Sequence, residues 1–149
     1  MPYHFLLVSA SKAGFIKYHD TSIGTLICEH RTKLGRPQAM SQNPYNAVMG
    51  LGHSNGIVSM WTPNSSVPVV KVLAHSAPLT SISFEAQGKY MATSGLDGRL
   101  KLWDLRKFKD IPVHDYFVPG VPLSTSISQR GMVAVGYRNE IQVWKDAFA

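Results

Sequence analysis

The chain has 149 residues, of which 44% are hydrophobic and 16% are charged. This is the length and composition of one globular domain, which excludes a disordered or fibrous chain. The formal net charge of +6 permits a nucleic-acid partner without requiring one, and the single cysteine excludes an intramolecular disulfide.

Short apolar or alternating runs separated by turn residues predict β-strands along the whole chain, and no stretch shows a helical period. In chain order the predicted strands cover residues 5–10, 14–18, 25–29, 37–41, 47–52, 57–61, 67–73, 79–84, 90–94, 99–103, 123–128, 132–136 and 141–144. A long proline-rich connection without a predicted strand covers residues 107–122. The sequence therefore predicts an all-β fold.

The predicted hairpins repeat along the chain every 41 or 42 residues. The turn positions of the four hairpins are Gly14, Gly56, Gly98 and Asn139, and the matching aromatic positions are His19, Trp61, Trp103 and Trp144. All three tryptophans therefore occupy one position of the repeat. Such a period indicates a fold built from stacked copies of one small unit.

The third repeat identifies that unit. A hairpin turns at Asp97-Gly98, its second strand ends at Trp103-Asp104, and His75 lies upstream. This pattern resembles one blade of a WD-repeat β-propeller, a fold that typically closes with 4 to 8 blades. At about 42 residues per repeat, residues 1–149 form about three and a half blades, so we expect an incomplete propeller. It begins at the second strand of one blade and ends after the third strand of another.

WD-repeat blades commonly contain a buried chain of hydrogen bonds, and the resemblance assigns one to the third repeat. Its members are His75, Thr93, Asp97 and Trp103. A buried indole N–H and a buried imidazole both need partners, which such a chain supplies. The other repeats depart from this set, at Leu51 and Asn55 in the second, His19 and Ala13 in the first, and Ala134 and Arg138 in the fourth, so we expect them to depend on packing more than on this network. An alternative interpretation takes His75, Asp97 and Thr93 as the base, orienting acid and nucleophile of a hydrolase. The tryptophan and the repeat argue against it.

Two further patterns are similar to cofactor or metal sites. The glycines of residues 50–56 are similar to a dinucleotide-binding loop, but such a loop must begin a helix and here a strand follows. Cys28 and His30, with His53 and His75 elsewhere, lack the spacing of zinc ligands. We therefore expect neither a cofactor nor a metal.

Basic residues fall into two groups that are candidates for contacts with RNA phosphates or with partners. The first group is Arg31, Lys33 and Arg36, and the second includes Lys107 and Lys109 after Arg99, Lys101 and Arg106. A short motif, Trp103-Asp-Leu-Arg106, also matches the box with which some propellers dock onto cullin ubiquitin-ligase adaptors. The apolar run at residues 5–8 is too short for a signal peptide or a membrane span, which favours an intracellular protein.

Several strings that blade geometry does not require carry a closer resemblance. They are Pro2-Tyr-His-Phe-Leu-Leu7, Ser9-Ala-Ser11, Met40-Ser-Gln-Asn-Pro-Tyr-Asn-Ala-Val48, Leu51-Gly-His-Ser-Asn-Gly56, Tyr90-Met-Ala-Thr-Ser-Gly-Leu-Asp97 and Ser128-Gln-Arg-Gly131. They resemble the U3 snoRNA-associated protein 7 family, a WD-repeat component of the small-subunit processome.

That resemblance implies a non-enzymatic scaffold in the nucleolus, within the nucleus, that is needed for pre-ribosomal RNA processing and small ribosomal subunit biogenesis. The implied partners are other processome proteins, with pre-ribosomal RNA or snoRNA as a further partner, and neither a membrane nor a small-molecule substrate. The alternative function is a substrate receptor of a cullin-type ubiquitin ligase that docks through Trp103-Asp104-Leu105-Arg106.

Overall fold

A computed structural model describes residues 5–149. The strands are β1 (Leu6–Ser11), β2 (Phe15–Asp20), β3 (Thr25–Arg31), β4 (Pro37–Gln42), β5 (Met49–His53), β6 (Ile57–Trp61), β7 (Val70–Leu73), β8 (Leu79–Phe84), β9 (Tyr90–Gly95), β10 (Arg99–Asp104), β11 (His114–Phe117), β12 (Ser124–Ile127), β13 (Val133–Tyr137) and β14 (Glu140–Trp144). One turn of 3₁₀ helix covers Leu105–Lys107. Residues 5–149 contain no α-helix, and no helix among them is long and apolar enough to cross a membrane.

The strands form four antiparallel sheets that follow one another along the chain. The first sheet has the order β1-β2-β3, the second β4-β5-β6-β7, the third β11-β10-β9-β8 and the fourth β12-β13-β14. Every neighbouring pair in these sheets is antiparallel. The predicted class is confirmed: the fold is all-β and is an incomplete WD-repeat propeller.

The pairing register places the repeat positions in equivalent sites. The cross-strand pairs are Leu7 with His19, Met49 with Trp61, Met91 with Trp103, and Val133 with Trp144. Each tryptophan therefore lies opposite the same position of the preceding strand in its sheet. Trp61 and Trp103 are buried, whereas Trp144 is only half-buried.

The core lies between the sheets, in three apolar layers. Ile16 and Tyr18 of the first sheet pack against Leu51 and Trp61 of the second. The next layer joins the second and third sheets and contains Val58, Met60, Val72, Ala74, Leu79, Ile82, Phe84, Met91 and Trp103. The last layer joins the third and fourth sheets and contains Ala92, Leu100, Leu102, Val118, Val133, Val135, Tyr137 and Ala147. Both faces of the two central sheets are thus covered.

The sheets have two distinct ends. We call the hairpin end the one that carries the turns at residues 12–14, 54–56, 96–98 and 138–139, together with the connections from one sheet to the next. The opposite end carries the other loops, among them residues 43–48 and 105–113. Functional side chains can be assigned to one end or the other.

The structure corrects three of the predicted boundaries, and one is that the strand predicted over residues 67–73 begins only at Val70. The connection at residues 107–122 contains β11, which pairs with β10 and completes the third sheet. The predicted strand over residues 47–52 begins too early, because Ala47 has a φ of 61° and its N–H donates to the carbonyl of Asn43 in a turn. Pro2 to His4, which begin one of the strings used for the family resemblance, lie outside the described residues.

Candidate functional site

The four polar residues expected in the third sheet are joined by hydrogen bonds. Nδ1 of His75 lies 3.0 Å from each carboxylate oxygen of Asp97, and Nε2 lies 2.9 Å from Oγ1 of Thr93. The indole N–H of Trp103 donates to the same Oγ1 at 3.0 Å. Asp97 also accepts the main-chain N–H groups of Ser76 and Arg99. The chain of bonds thus ties the connection before β8 to β9, β10 and the hairpin turn.

The hydrogen bonds of this network all point the same way, from Trp103 through Thr93 and His75 to Asp97. Because the Thr93 oxygen accepts from Trp103, its hydroxyl hydrogen can donate to Nε2 of His75, and Nδ1–H of His75 then donates to Asp97. This pattern requires a neutral imidazole. Burial lowers the pKa of His75 below 6.5 despite the opposing charge of Asp97. Burial alone would raise the pKa of Asp97, but His75 and the two main-chain N–H groups hold it below its usual value.

A second network occupies the second sheet, which was expected to depend on packing more than on a network like that of the third sheet. The indole N–H of Trp61 donates to Oγ of Ser59 at 2.8 Å, and Nε2 of His53 lies 2.7 Å from the same oxygen. Nδ1 of His53 lies 3.3 Å from the carbonyl oxygen of Gly35. Burial lowers the pKa of His53, while the bond to Gly35 opposes that shift.

The second network was missed because its hydroxyl comes from a different strand. Leu51 occupies the position that Thr93 holds in the third sheet, and Ser59 lies directly across from Leu51 on β6. Aligning the repeats compares only equivalent positions, so it finds Leu51 in place of Thr93 and does not find Ser59. A search for any hydroxyl two residues before the tryptophan, on the same face of the same strand, would have found Ser59.

The burial of the first network bears on the hydrolase interpretation. Thr93 is 0% exposed and His75 is 1% exposed. A nucleophile must reach the substrate, whereas this hydroxyl is enclosed and already bonded to two side chains. The arrangement stabilises the fold and offers no route for acyl transfer.

The glycines of residues 50–56 serve the packing between sheets. Gly50 and Gly52 lie on β5, and a Cβ at either position would come within 2.8 Å of a side-chain atom of Phe84 or Leu79, respectively. These glycines therefore allow the third sheet to approach the second. Within residues 5–149, no group of three or more His, Cys, Asp or Glu could hold a metal ion.

The first basic group lies at the hairpin end. Arg31, Lys33 and Arg36 surround a cavity of about 390 Å³ between the turn of the first hairpin and the connection from β3 to β4. Lys12 lines the same cavity from the turn and is not among the residues predicted from the sequence. In the part of the chain that the structure describes, none of these four cations forms a salt bridge.

Lys107 and Lys109 of the second basic group lie at the opposite end and are not joined to the first group. Lys107 and Lys109 are exposed in the loop after β10. The other cations of the second group lie along β10 or just after it and are paired with carboxylates: Arg99 and Lys101 approach Asp115 at 3.1 and 3.9 Å, and Arg106 approaches Asp104 at 2.7 Å. One continuous basic surface is therefore absent from the described residues.

The short Trp103-to-Arg106 motif is explained by local folding. Trp103 is buried, and the Asp104 carboxylate accepts from both the main-chain N–H and the guanidinium of Arg106. The same guanidinium donates to the hydroxyl of Tyr90 and lies over its ring. These contacts fix the 3₁₀ turn and give no independent support to a docking role.

Comparison with known proteins assigns the fold and finds relatives over nearly the whole chain. The family model for the WD domain, G-beta repeat, matches residues 66–104. The chain is 48% identical to U3 small nucleolar RNA-associated protein 7 of Saccharomyces cerevisiae over 99% of its own length and 26% of that protein. It is 42% identical to WD repeat-containing protein 46 of Caenorhabditis elegans and of Homo sapiens, over 97% of its length and 25% and 23% of theirs. The chain thus spans about a quarter of the length of the curated relatives it matches.

Proposed function

The chain belongs to the WD-repeat family that includes yeast U3 small nucleolar RNA-associated protein 7 and human WD repeat-containing protein 46, and on that basis we propose that it acts in the nucleolar small-subunit processome. The observation that carries the proposal is the 48% identity over 99% of the chain to a protein named for its association with U3 small nucleolar RNA. Its role there is that of a non-enzymatic scaffold needed for pre-ribosomal RNA processing and small-subunit biogenesis.

The scaffold role is supported by what the buried polar residues do. His75, Thr93, Asp97 and Trp103 are engaged with one another inside the third sheet, as His53, Ser59 and Trp61 are in the second. Satisfied buried networks of this kind make a structure rigid and specify one arrangement of its parts. A rigid body with two loop-bearing ends is suited to holding other processome proteins in fixed positions.

RNA contact is the second part of the proposal. Arg31, Lys33 and Arg36 at the hairpin end, and Lys107 and Lys109 at the opposite end, would neutralise phosphates of pre-ribosomal RNA or snoRNA. Because the groups lie at different ends of the sheets, each would contact a different RNA segment. Each phosphate contact adds about 0.7 to 0.9 to the slope of log affinity against log salt concentration.

The test is depletion of the protein from growing cells, followed by re-expression of the full-length protein or of charge-reversed forms. Depletion should block small-subunit RNA processing and wild-type protein should restore it. Reversal at Arg31, Lys33 and Arg36, or at Lys107 and Lys109, should weaken association with pre-ribosomal particles. Normal processing after depletion contradicts the scaffold role. Unchanged association after reversal of both groups contradicts only the RNA contacts.

A further inference from the structure

The cavity at the hairpin end has the composition of an anion site. Four cations line it, namely Lys12 from the first hairpin turn and Arg31, Lys33 and Arg36 from the connection after β3. We call this cavity the basic notch. Its remaining walls are largely main chain and small side chains, among them Gly14, Thr32 and Ser54.

The walls of the basic notch are fixed by hydrogen bonds. The N–H and the hydroxyl of Thr32 both donate to the carbonyl of Gly14, at 2.8 and 3.1 Å. On the other side, the N–H of Arg36 donates to Oγ of Ser54, and the N–H of Ser54 donates to the carbonyl of Arg36. The basic notch is therefore a preformed feature that joins the first sheet to the second.

The charge in the basic notch is not balanced by protein. Lys17, Arg99, Lys101 and Arg106 each lie within 4.0 Å of a carboxylate, but within residues 5–149 the four notch cations have no such partner. Arg31 is also held in place, because its guanidinium carbon lies 5.9 Å from the centre of the Phe15 ring. Concentrated cations without a counter-charge attract an external anion, which also relieves their mutual repulsion.

Main-chain geometry adds a second, independent feature. Lys33 and Gly35 have positive φ values of 54° and 92°, whereas Leu34 between them does not have a positive φ. The amides of residues 33–35 have no hydrogen-bond acceptor among the described residues. Donors of this kind suit phosphate oxygens.

We propose that the basic notch is a binding site for a phosphodiester group of single-stranded RNA. The choice of RNA as the ligand rests on the proposed function, while the anion chemistry rests on the residues of the notch. Two arginines offer paired N–H donors that match two phosphate oxygens, and the two lysines add charge. Because all of these contacts reach the backbone of the RNA, recognition is independent of base sequence.

The test is fluorescence anisotropy of a labelled ten-nucleotide oligouridylate with the full-length protein, at several salt concentrations. Lys12→Ala combined with Arg36→Ala should weaken binding about tenfold at low salt and reduce the salt slope by about 1.4, since two contacts to a single strand are lost. Lys71→Ala combined with Lys145→Ala removes the same charge from exposed sites outside the notch and should change affinity less than about twofold.

Equal weakening by the two double variants, or no weakening by the notch variant, would overturn the proposal. Competition by a polyglutamate peptide as effective as that by unlabelled oligouridylate would assign the notch to an acidic protein instead. Competition by inorganic phosphate well beyond that of chloride at equal ionic strength would assign it to a free anion.

A measurement on the unaltered protein guards against misfolding of the variants. Ultraviolet cross-links to the oligouridylate should map to peptides that contain residues 12–15 and 31–36, and cross-links confined to other peptides would overturn the site. Loss of this binding in vitro would leave the processome role standing, because the role is judged by RNA processing in cells.

Discussion

At the scale of single residues, the hydroxyl of Thr93 holds together the polar core of the third sheet. It accepts the indole N–H of Trp103 and donates to Nε2 of His75, and all three side chains are buried. A buried donor or acceptor without a partner costs about 1–3 kcal/mol. The size of this side chain matters less than its oxygen.

Thr93→Val should therefore lower the free energy of unfolding by about 2–4 kcal/mol, because the substitution keeps the volume but leaves two buried groups without a partner. Thr25→Val, at an exposed position of β3, should change it by about 0.5 kcal/mol or less. Urea denaturation of both variants measures the difference. An equal decrease in unfolding free energy in the two variants would show that the network contributes nothing to stability.

The two buried histidines predict how stability depends on pH. The pKa values of His53 and His75 are both lowered in the folded chain from 6.5, chiefly by burial. The unfolded chain therefore binds more protons than the folded chain once the pH falls below about 6.5. The stability that the neutral imidazoles contribute is fully present above that pH and is lost as the pH falls below it. The lowered pKa of Asp97 acts at lower pH, below about 3.8.

Unfolding free energy measured between pH 7.5 and 5 should thus decrease toward the acid side. In a variant with both His53→Gln and His75→Gln, stability should be lower at every pH but should vary less across this range. A steeper decrease in the double variant would contradict the assignment of neutral imidazoles.

At the scale of elements, the hairpin turns also determine how neighbouring sheets meet. Gly56 has a φ of 81°, and its carbonyl accepts the N–H groups of Ala74 and His75 in the connection to the third sheet. A Cβ at this position would lie 1.9 Å from the carbonyl oxygen of His75. Main chain from the next sheet therefore occupies the space beside this turn.

Gly56→Ala should lower the unfolding free energy by about 3 kcal/mol or more, since it combines a left-handed backbone with a clash against main chain. Gly24→Ala is the matched control, because Gly24 has a φ of 69° but open space around its missing Cβ. Gly24→Ala should lower the unfolding free energy by about 1–2 kcal/mol. Thermal unfolding of the two variants separates the steric effect from the backbone effect, and equal midpoints would contradict the close contact.

Sequence reasoning predicted the elements better than the contacts between them. The strands of the hairpins were recognisable because alternation and the turns at Gly14, Gly56 and Gly98 are local features. β11 was missed because His114–Phe117 is a short segment between Pro112 and Pro119, and its pairing with β10 decides its structure. The bond between His53 and Ser59 joins two strands, and Lys12 reaches the basic notch across a turn. Such contacts depend on the pairing register of the strands and on which loops lie close together in the fold. The periodicity of the sequence does not specify either.

At the scale of the whole molecule, four sheets bury three layers of apolar side chains and leave two sheet faces uncovered. Leu7, on the outer face of the first sheet, is 57% exposed. Ile141 and Val143, on the outer face of the fourth, are 75% and 53% exposed. In a repeat fold these are the faces that a neighbouring unit covers.

We expect the isolated chain to self-associate through these faces, because exposed apolar sheet surface promotes association. Ile141→Thr combined with Val143→Thr should shift sedimentation toward smaller species. Ile111→Thr, at a residue that is 76% exposed in a loop, should leave the distribution unchanged. A monodisperse monomer of the unaltered chain would contradict the prediction.

We propose that the molecule as a whole acts as a scaffold in the small-subunit processome. The most direct test of this proposal is affinity purification of the tagged protein from growing cells, with quantification of the RNA and protein that accompany it. We expect strong enrichment of U3 small nucleolar RNA and small-subunit precursor RNA over an untagged control. Recovery of a cullin adaptor without enrichment of either RNA would contradict it and would favour a ubiquitin-ligase receptor.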